Sequence, residues 1–341
     1  MGDIDIRITG VAGRITLNRP KALNALTYRM CLDIEAALDT WAQDDAVALV
    51  ILDAAGDRAF CAGGDIAELY ETGTKGDYAY GRKFWADEYR LNHKIFSYSK
   101  PVVSFLQGFT MGGGVGLGCH GSHRIVGESS QIAMPECGIG LVPDVGGSLM
   151  LAQATGRLGE YLGTTATRMG PADAIYAGFA DRFVPEKDWP ALIAALESSG
   201  DAQAIQGQTP PAGHLEDAQA EIDAHFAGSD LGSVLESLRS AKTDFAAETL
   251  KTLERVSPLS AACTIEMMRR LRGSDPTIER ALELEYRFTS RAMEHGDFLE
   301  GIRAAIIDKD RSPKWQYPDR NVPQAAVSRM LEPLSEGTLD L

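Results

Sequence analysis

The chain has 341 residues, 44% of them apolar and 24% charged, and 33 Lys and Arg against 48 Asp and Glu leave a net charge of −15. That size allows about two domains with a substantial core. The acidity excludes a nucleic-acid binder, which needs clustered cations to neutralise phosphates, and a protein held on an anionic membrane surface.

In chain order, Ile4 to Leu17 reads as two β-type runs broken at Gly10 and Gly13, a hairpin. Thr27 is placed to cap a helix whose Met30, Ile34, Ala37, Leu38 and Trp41 keep helical spacing. Val47 to Leu52 is a continuous apolar run, as in a strand buried on both faces. Pro101 to Leu106 is another, and Arg124 to Gly127 is a shorter third. Strands alternating with helices indicate an α/β core. Leu149 to Leu162 and Ala172 to Phe179 read as helices, and Arg182 to Pro185 closes that region. The expected organisation is a core over residues 1–199, a polar linker or excursion with Pro210 and Pro211 over 200–217, and a mostly helical region over 218–341. Within the last, Ile278, Leu282 and Tyr286 share one face of a helix begun by Asp275-Pro276.

The N-terminal residues carry no basic and apolar leader, and the most apolar stretch, Val102 to Cys119, is too interrupted to span a membrane. The five cysteines are scattered without Cys-x-x-Cys pairing, so a cytoplasmic protein with reduced thiols, or one in an equivalent reducing compartment, is expected. Cys119, His120 and His123 lack a complete four-ligand spacing, so no metal site is expected. Without Gly-x-Ser-x-Gly, a serine nucleophile has no support.

Glycine makes up 35 residues, about one in ten against the usual ~7%, and seven fall between Gly108 and Gly121. Residues 116 to 121 match Gly-x-Gly-x-x-Gly, but the strand before them ends near Gln107, so Gly116 and Gly118 fall inside a helix instead of at a strand-to-helix turn. Gly112 to Gly114 are instead read at that helix's first turn. N–H groups there lack intrahelical partners and can receive a ligand oxygen or a developing oxyanion.

Three segments together, Asn18-Arg19-Pro20-Lys21-Ala22-Leu23-Asn24-Ala25, Phe60-Cys61-Ala62-Gly63-Gly64-Asp65 and Met111-Gly112-Gly113-Gly114, resemble the crotonase (enoyl-CoA hydratase/isomerase) superfamily. Within it the chain is most similar to the 3-hydroxyisobutyryl-CoA hydrolase subfamily. That likeness extends to Asp297-Phe298-Leu299-Glu300-Gly301-Ile302-Arg303 and to Asp308-Lys309-Asp310-Arg311-Ser312-Pro313-Lys314-Trp315. The resemblance implies a spiral of ββα turns with a helical C-terminal region, often trimeric, although the tail after Gly200 departs from the short hydratase type.

It also implies an acyl-CoA substrate and no prosthetic group. Gly64 and Gly113 correspond to the oxyanion donors, and Lys21, Ala22, Leu23, Ala62, Gly63, Gly64, Asp65, Ile66 and, from the tail, Lys309 to CoA contacts. The family's hydratases use two glutamates. The first position is Gly116 here and the second is Glu136, while the hydrolase likeness supplies Asp144 and places Glu88 in the substrate pocket. Thioester hydrolysis is therefore expected, with Glu136 as nucleophile or as base on water. An enoyl-CoA isomerase or hydratase and a non-catalytic acyl-CoA-binding relative are the alternatives.

Overall fold

The computed structural model describes residues 2–273, 275–335 and 337–341; Met1, Ser274 and Glu336 lie outside the described residues. Two compact units interleave along the chain. The first comprises Met1–Asp65, Arg90–Ala133 and Arg168–Glu216; the second comprises Ile66–Tyr89, Met134–Thr167 and Asp217–Leu341. These are not the consecutive blocks 1–199 and 218–341 expected from sequence, because residues 66–89 and 134–167 cluster with the C-terminal helices.

The nine strands among the described residues all lie in the first unit. These are β1 (Ile4–Thr9), β2 (Ala12–Leu17), β3 (Leu49–Ala54), β4 (Ala59–Cys61), β5 (Val102–Phe105), β6 (Phe109–Met111), β7 (His123–Val126), β8 (Gln131–Ala133) and β9 (Arg182–Phe183). A six-stranded sheet runs β1-β2-β3-β5-β7-β9, antiparallel only at the β1–β2 hairpin, and a parallel three-stranded sheet runs β4-β6-β8. From β3 to β8 each turn of chain thus lays one strand in the large sheet and the next in the small one, which is the repeated ββα spiral expected. The hairpin turns at Gly10, where φ is +57°. Gly13 breaks nothing: it lies inside β2, where a Cβ would come within 2.5 Å of the Trp41 ring.

Both faces of the large sheet are covered, which is why β3 reads as an unbroken apolar run. Leu49, Ile51, Val103, Phe105 and Ile125 pack with Trp189 and Leu196 of the helix Trp189–Ser199. Ile15, Leu17 and Leu52, pointing the other way, meet Ile34 of the helix Tyr28–Ala42 around one small cavity. Thr27 caps that helix by accepting from the Met30 N–H at 3.2 Å, a cap worth about 1 kcal/mol. The supposed linker is packed. Ala202 and Ile205 join the sheet's core, Gln208 N–H donates to the Phe183 carbonyl, and Asp173 accepts from the His214 and Leu215 N–H groups.

The second unit is helical. The stretch read as one helix from Leu149 to Leu162 is two, Gly147–Gln153 and Leu158–Thr165. The buried helix Pro258–Arg272 has its hydroxyl cap Ser257 tied to Asp297 at 2.7 Å. The helix Ile278–His295 starts from Thr277, whose hydroxyl accepts from Arg280 N–H, and not from Asp275-Pro276.

The two tail motifs form a clamp on the turn Glu136–Ile139. Gly301 sits so close to this turn that a Cβ would lie 2.1 Å from the Ile139 carbonyl oxygen, and a Cβ on Gly140 would lie 2.4 Å from the Asp297 backbone. Asp297 and Glu300 in turn accept from the Gln316 and Lys314 N–H groups, and Arg303 pairs with Glu300, Asp308 and Asp310.

Candidate active site

The first unit carries the glycine loops. Parallel β4 and β6 are neighbours, with Cys61 opposite Thr110, so the loops leaving their C-terminal ends lie side by side. Those loops hold Gly64 and Gly113. The two approach so closely that a Cβ on Gly114 would sit 2.1 Å from the Cys61 carbonyl oxygen, while Gly63 adopts φ +119° beside the Met111 carbonyl. Gly112 is the N-cap of the short helix Gly113–Gly118, and its carbonyl accepts from Val115 and Gly116 N–H. The N–H groups of Gly64 and Gly113 donate to no protein acceptor among the described residues. Two such donors, held on rigid strand ends, can stabilise a developing oxyanion, one donor being worth roughly 2.7–4 kcal/mol in a transition state. Gly118 is a packing glycine, its Cβ position filled by Leu106 and Phe60.

The Lys21 segment is brought to the same loop. Ala62 N–H donates to the Leu23 carbonyl, Leu26 N–H to the Gly63 carbonyl, and Arg19 pairs with Asp65 at 3.1 Å. Asn24, buried at φ +55°, locks this arrangement by donating to the Ala55 and Ala59 carbonyls and accepting from Arg19 N–H. Lys21 and Ala22 stay exposed, and Lys21 makes no ion pair among the described residues, so its charge is available to a phosphate. Ile66 and Lys309 belong to the second unit, Ile66 as the N-cap of the helix Ala67–Thr74 and Lys309 in exposed tail chain at φ +57°.

The second unit carries the carboxylates. Glu88 comes from the helix Tyr78–Phe96, Glu136 from the turn after Pro135, and Asp144 from the loop before Gly147–Gln153. All three are buried, with relative exposures of 3%, 4% and 4%. Glu88 Oε1 and Glu136 Oε2 are buried and have no hydrogen-bond partner among the described residues. Asp144 accepts from the Tyr89 hydroxyl at 2.8 Å.

Burial, with Asp144 nearby, pushes Glu88 up to about 8. Burial first, then the charges of Asp144, Glu285 and Glu88, holds Glu136 well above the usual carboxylate range. Burial raises Asp144 to about 7 against the pull of its Tyr89 hydrogen bond. Acids sharing a site with ionisations pushed apart can divide proton donor and acceptor roles. Among the described residues no group of three or more His, Cys, Asp and Glu side chains could hold a metal ion.

Glu285 was not marked by the sequence, yet it is fully buried in the same cluster. It accepts from Gly146 N–H at 2.8 Å, from Ser148 N–H at 3.1 Å and from the Ser148 hydroxyl. Its signal is its place seven residues after Ile278 and three after Leu282, a carboxylate on the apolar face of the helix. The Tyr89 hydroxyl that donates to Asp144 also lies 3.4 Å from the Thr289 hydroxyl.

A raised buried acid has a measurable consequence. The unfolded chain releases the Glu88 proton near its ordinary value of about 4.3, whereas the folded chain holds it to about 8. Stability therefore falls as pH rises between those two values, because the unfolded state binds fewer protons. Glu88→Gln is expected to remove that slope, gaining of order a few kcal/mol on wild type at the upper end. Urea melts of both proteins across this range check it; parallel slopes would show that Glu88 ionises normally in the fold.

A model of the enoyl-CoA hydratase/isomerase family matches residues 12–331, and the chain belongs to that family. It is 40% identical over 324 residues to the mitochondrial 3-hydroxyisobutyryl-CoA hydrolase of Rattus norvegicus, covering 91% of this chain and 83% of that protein. A crystal structure of an enoyl-CoA hydratase from Rhodobacter sphaeroides superposes with a TM-score of 0.97 at 57% identity, over the full length of both chains. A carnitinyl-CoA dehydratase from Mycobacterium thermoresistibile gives 0.94 at 37% identity, over 100% of this chain and 99% of its own.

Proposed function

We propose that the protein hydrolyses an acyl-CoA thioester, 3-hydroxyisobutyryl-CoA or a close 3-hydroxyacyl-CoA, to the free acid and CoA, which would place it in valine breakdown. The names of its relatives diverge between hydrolase, hydratase and dehydratase. The observation that carries the choice lies in this chain. Gly116 stands where the family's hydratases use their first glutamate, while Glu136 and Asp144 are both present and share one buried cluster.

In the proposed reaction the Gly64 and Gly113 N–H groups receive the thioester oxygen as it becomes an oxyanion. Glu136, as carboxylate, either attacks the carbonyl carbon or takes a proton from an attacking water. In the first route the C–S bond breaks, the CoA thiolate leaves and is protonated, and water then cleaves the Glu136 anhydride. In the second, hydroxide adds directly and the same thiolate leaves. Asp144 orients the acyl hydroxyl or passes the proton to sulfur, and Glu88, held neutral, offers that hydroxyl a hydrogen-bonding carboxyl. Single-turnover cleavage in ¹⁸O-water separates the routes: label in the Glu136 carboxylate marks the anhydride.

The CoA moiety is assigned to Lys21, Ala22 and Leu23, to Ala62 through Ile66, and to Lys309, with Lys21 and Lys309 supplying the local positive charge that a polyanion needs on a chain of net charge −15. A thiol-release assay over a panel of acyl-CoAs tests the whole reading. Free CoA from 3-hydroxyisobutyryl-CoA is the expected result; double-bond migration without CoA release would make the protein an isomerase, and silence on every thioester a binding protein. A cytosolic or equivalent reducing setting and self-association also belong to the proposal. The first rests on five buried cysteines scattered without Cys-x-x-Cys pairing, and fractionation of cells expressing the protein tests it.

A further inference from the structure

The loop that presents Asp144 is not self-supporting. Val145 takes φ +54° and Gly146 φ +78°, and a β-branched residue in the left-handed region is strained and persists only where its surroundings impose it. Gly147 N–H closes the turn on the Asp144 carbonyl at 2.7 Å. The next donors along the chain, Gly146 N–H, Ser148 N–H and the Ser148 hydroxyl, all point at one carboxylate, Glu285, from the helix Ile278–His295.

A carboxyl group accepting from two backbone N–H groups and a hydroxyl is a fixed bracket, because turning the loop away would leave the buried acid and its three donors unpaired. Neither the proposed thioester chemistry nor the CoA contacts use this group. The groups around it are Ser148, Gly146 and Asp144 on the loop, Tyr89 from the helix Tyr78–Phe96, and Glu136 from its own turn.

We propose that Glu285 is a positioning residue of this site, which seats the Asp144 loop through Gly146 and Ser148 and whose negative charge acts on Glu136. The inference rests on the proposed hydrolase reading for its kinetic readout, but not for its spectroscopic one. Burial raises Glu285 to about 8 while its donors pull it back, and its charge is one of the causes that hold Glu136 high. A second negative charge in a dry site opposes ionisation of the first.

Glu285→Gln loses the charge and presents an N–H₂ to donors, so it both loosens the loop and relieves Glu136. The expected result is a kcat lower by about 10²-fold, the scale of a small misplacement of reacting groups, with KM nearly unchanged. The acidic limb of the kcat profile moves to lower pH, because Glu136 ionises more easily. Ser148→Ala, which removes one donor and no charge, lowers kcat less and leaves the limb in place. Glu285→Asp, which keeps the charge, restores the wild-type limb.

The Glu136 carboxyl is also followed by ¹³C NMR titration, assigned with Glu136→Gln, in wild type and in Glu285→Gln. A lower titration midpoint in the variant is expected whatever the substrate proves to be. An unmoved midpoint overturns the proposal, as does a kcat loss that only tracks a lower melting temperature. Silence of the wild-type enzyme on every thioester would instead overturn the hydrolase reading and leave the titration to decide this one.

Discussion

Glu136→Gln is expected to abolish thioester cleavage, lowering kcat by about 10²–10⁴-fold, while CoA binds with unchanged affinity. Gln keeps the shape of the side chain, so the turn Glu136–Ile139 and its Gly301 clamp are undisturbed. What is lost is the only form able to attack or to accept a proton. In wild type that form appears late on a pH scale. Burial and the neighbouring Asp144, Glu285 and Glu88 disfavour its charge, so activity rises with pH along a limb displaced well above the range of an ordinary carboxylate. The cost of holding such a group is paid in the fold, and the Gln variant is expected to be the more stable of the two at alkaline pH. Single-turnover rates, isothermal titration with CoA and melts at alkaline pH check the three parts. Substantial cleavage by Glu136→Gln would remove it from the chemistry.

Gly114→Ala is expected to damage the other half of the chemistry through packing alone. Its Cβ would meet the Cys61 carbonyl oxygen at 2.1 Å and the Cys61 Cβ at 3.0 Å, and the first of these is backbone that cannot rotate away. Overpacking of this kind costs about 1–3 kcal/mol. It acts where β4 and β6 lie side by side, so the forced separation parts the loops of Gly64 and Gly113. Loss of one oxyanion donor alone costs about 10²–10³-fold in kcat. Gly170→Ala, at a glycine with open space around its Cβ position, is the control and is expected to leave the cleavage rate unchanged. A folded Gly114→Ala protein with full activity would detach the two glycines from the reaction.

Much of this was legible in the sequence where pattern and physics agree over a long enough run. Thr27 and its helix, the buried β3 and β5, and the carboxylates Glu136 and Asp144 among small and apolar neighbours all declare themselves. The short strands β4, β6 and β8 do not, because three residues carry no period, and only neighbouring chain makes them strands. Gly13 reads as a breaker because nothing local reveals Trp41 beneath it. Glu285 does not stand out because a glutamate in a charge-rich helix normally faces water, and its partners are 137 and 139 residues away. The interleaving of the two units escapes for the same reason: composition changes smoothly where contacts do not.

The tail clamp bears on when, as well as where, the carboxylates are organised. The Glu136 turn waits for Gly301, and the Asp144 loop waits for Glu285, which is made 139 residues after the Gly146 it holds. At about 5–20 residues per second that is a lag of roughly seven to twenty-eight seconds on the ribosome. During it the nascent chain can complete neither turn as described. Chains that end after residue 296 would therefore keep Glu88, Glu136, Asp144 and the Glu285 that holds its loop, and still lack Gly301, the seat of the Glu136 turn. A stop codon after residue 296 should yield a protein that the cell's proteases find before any thioester does.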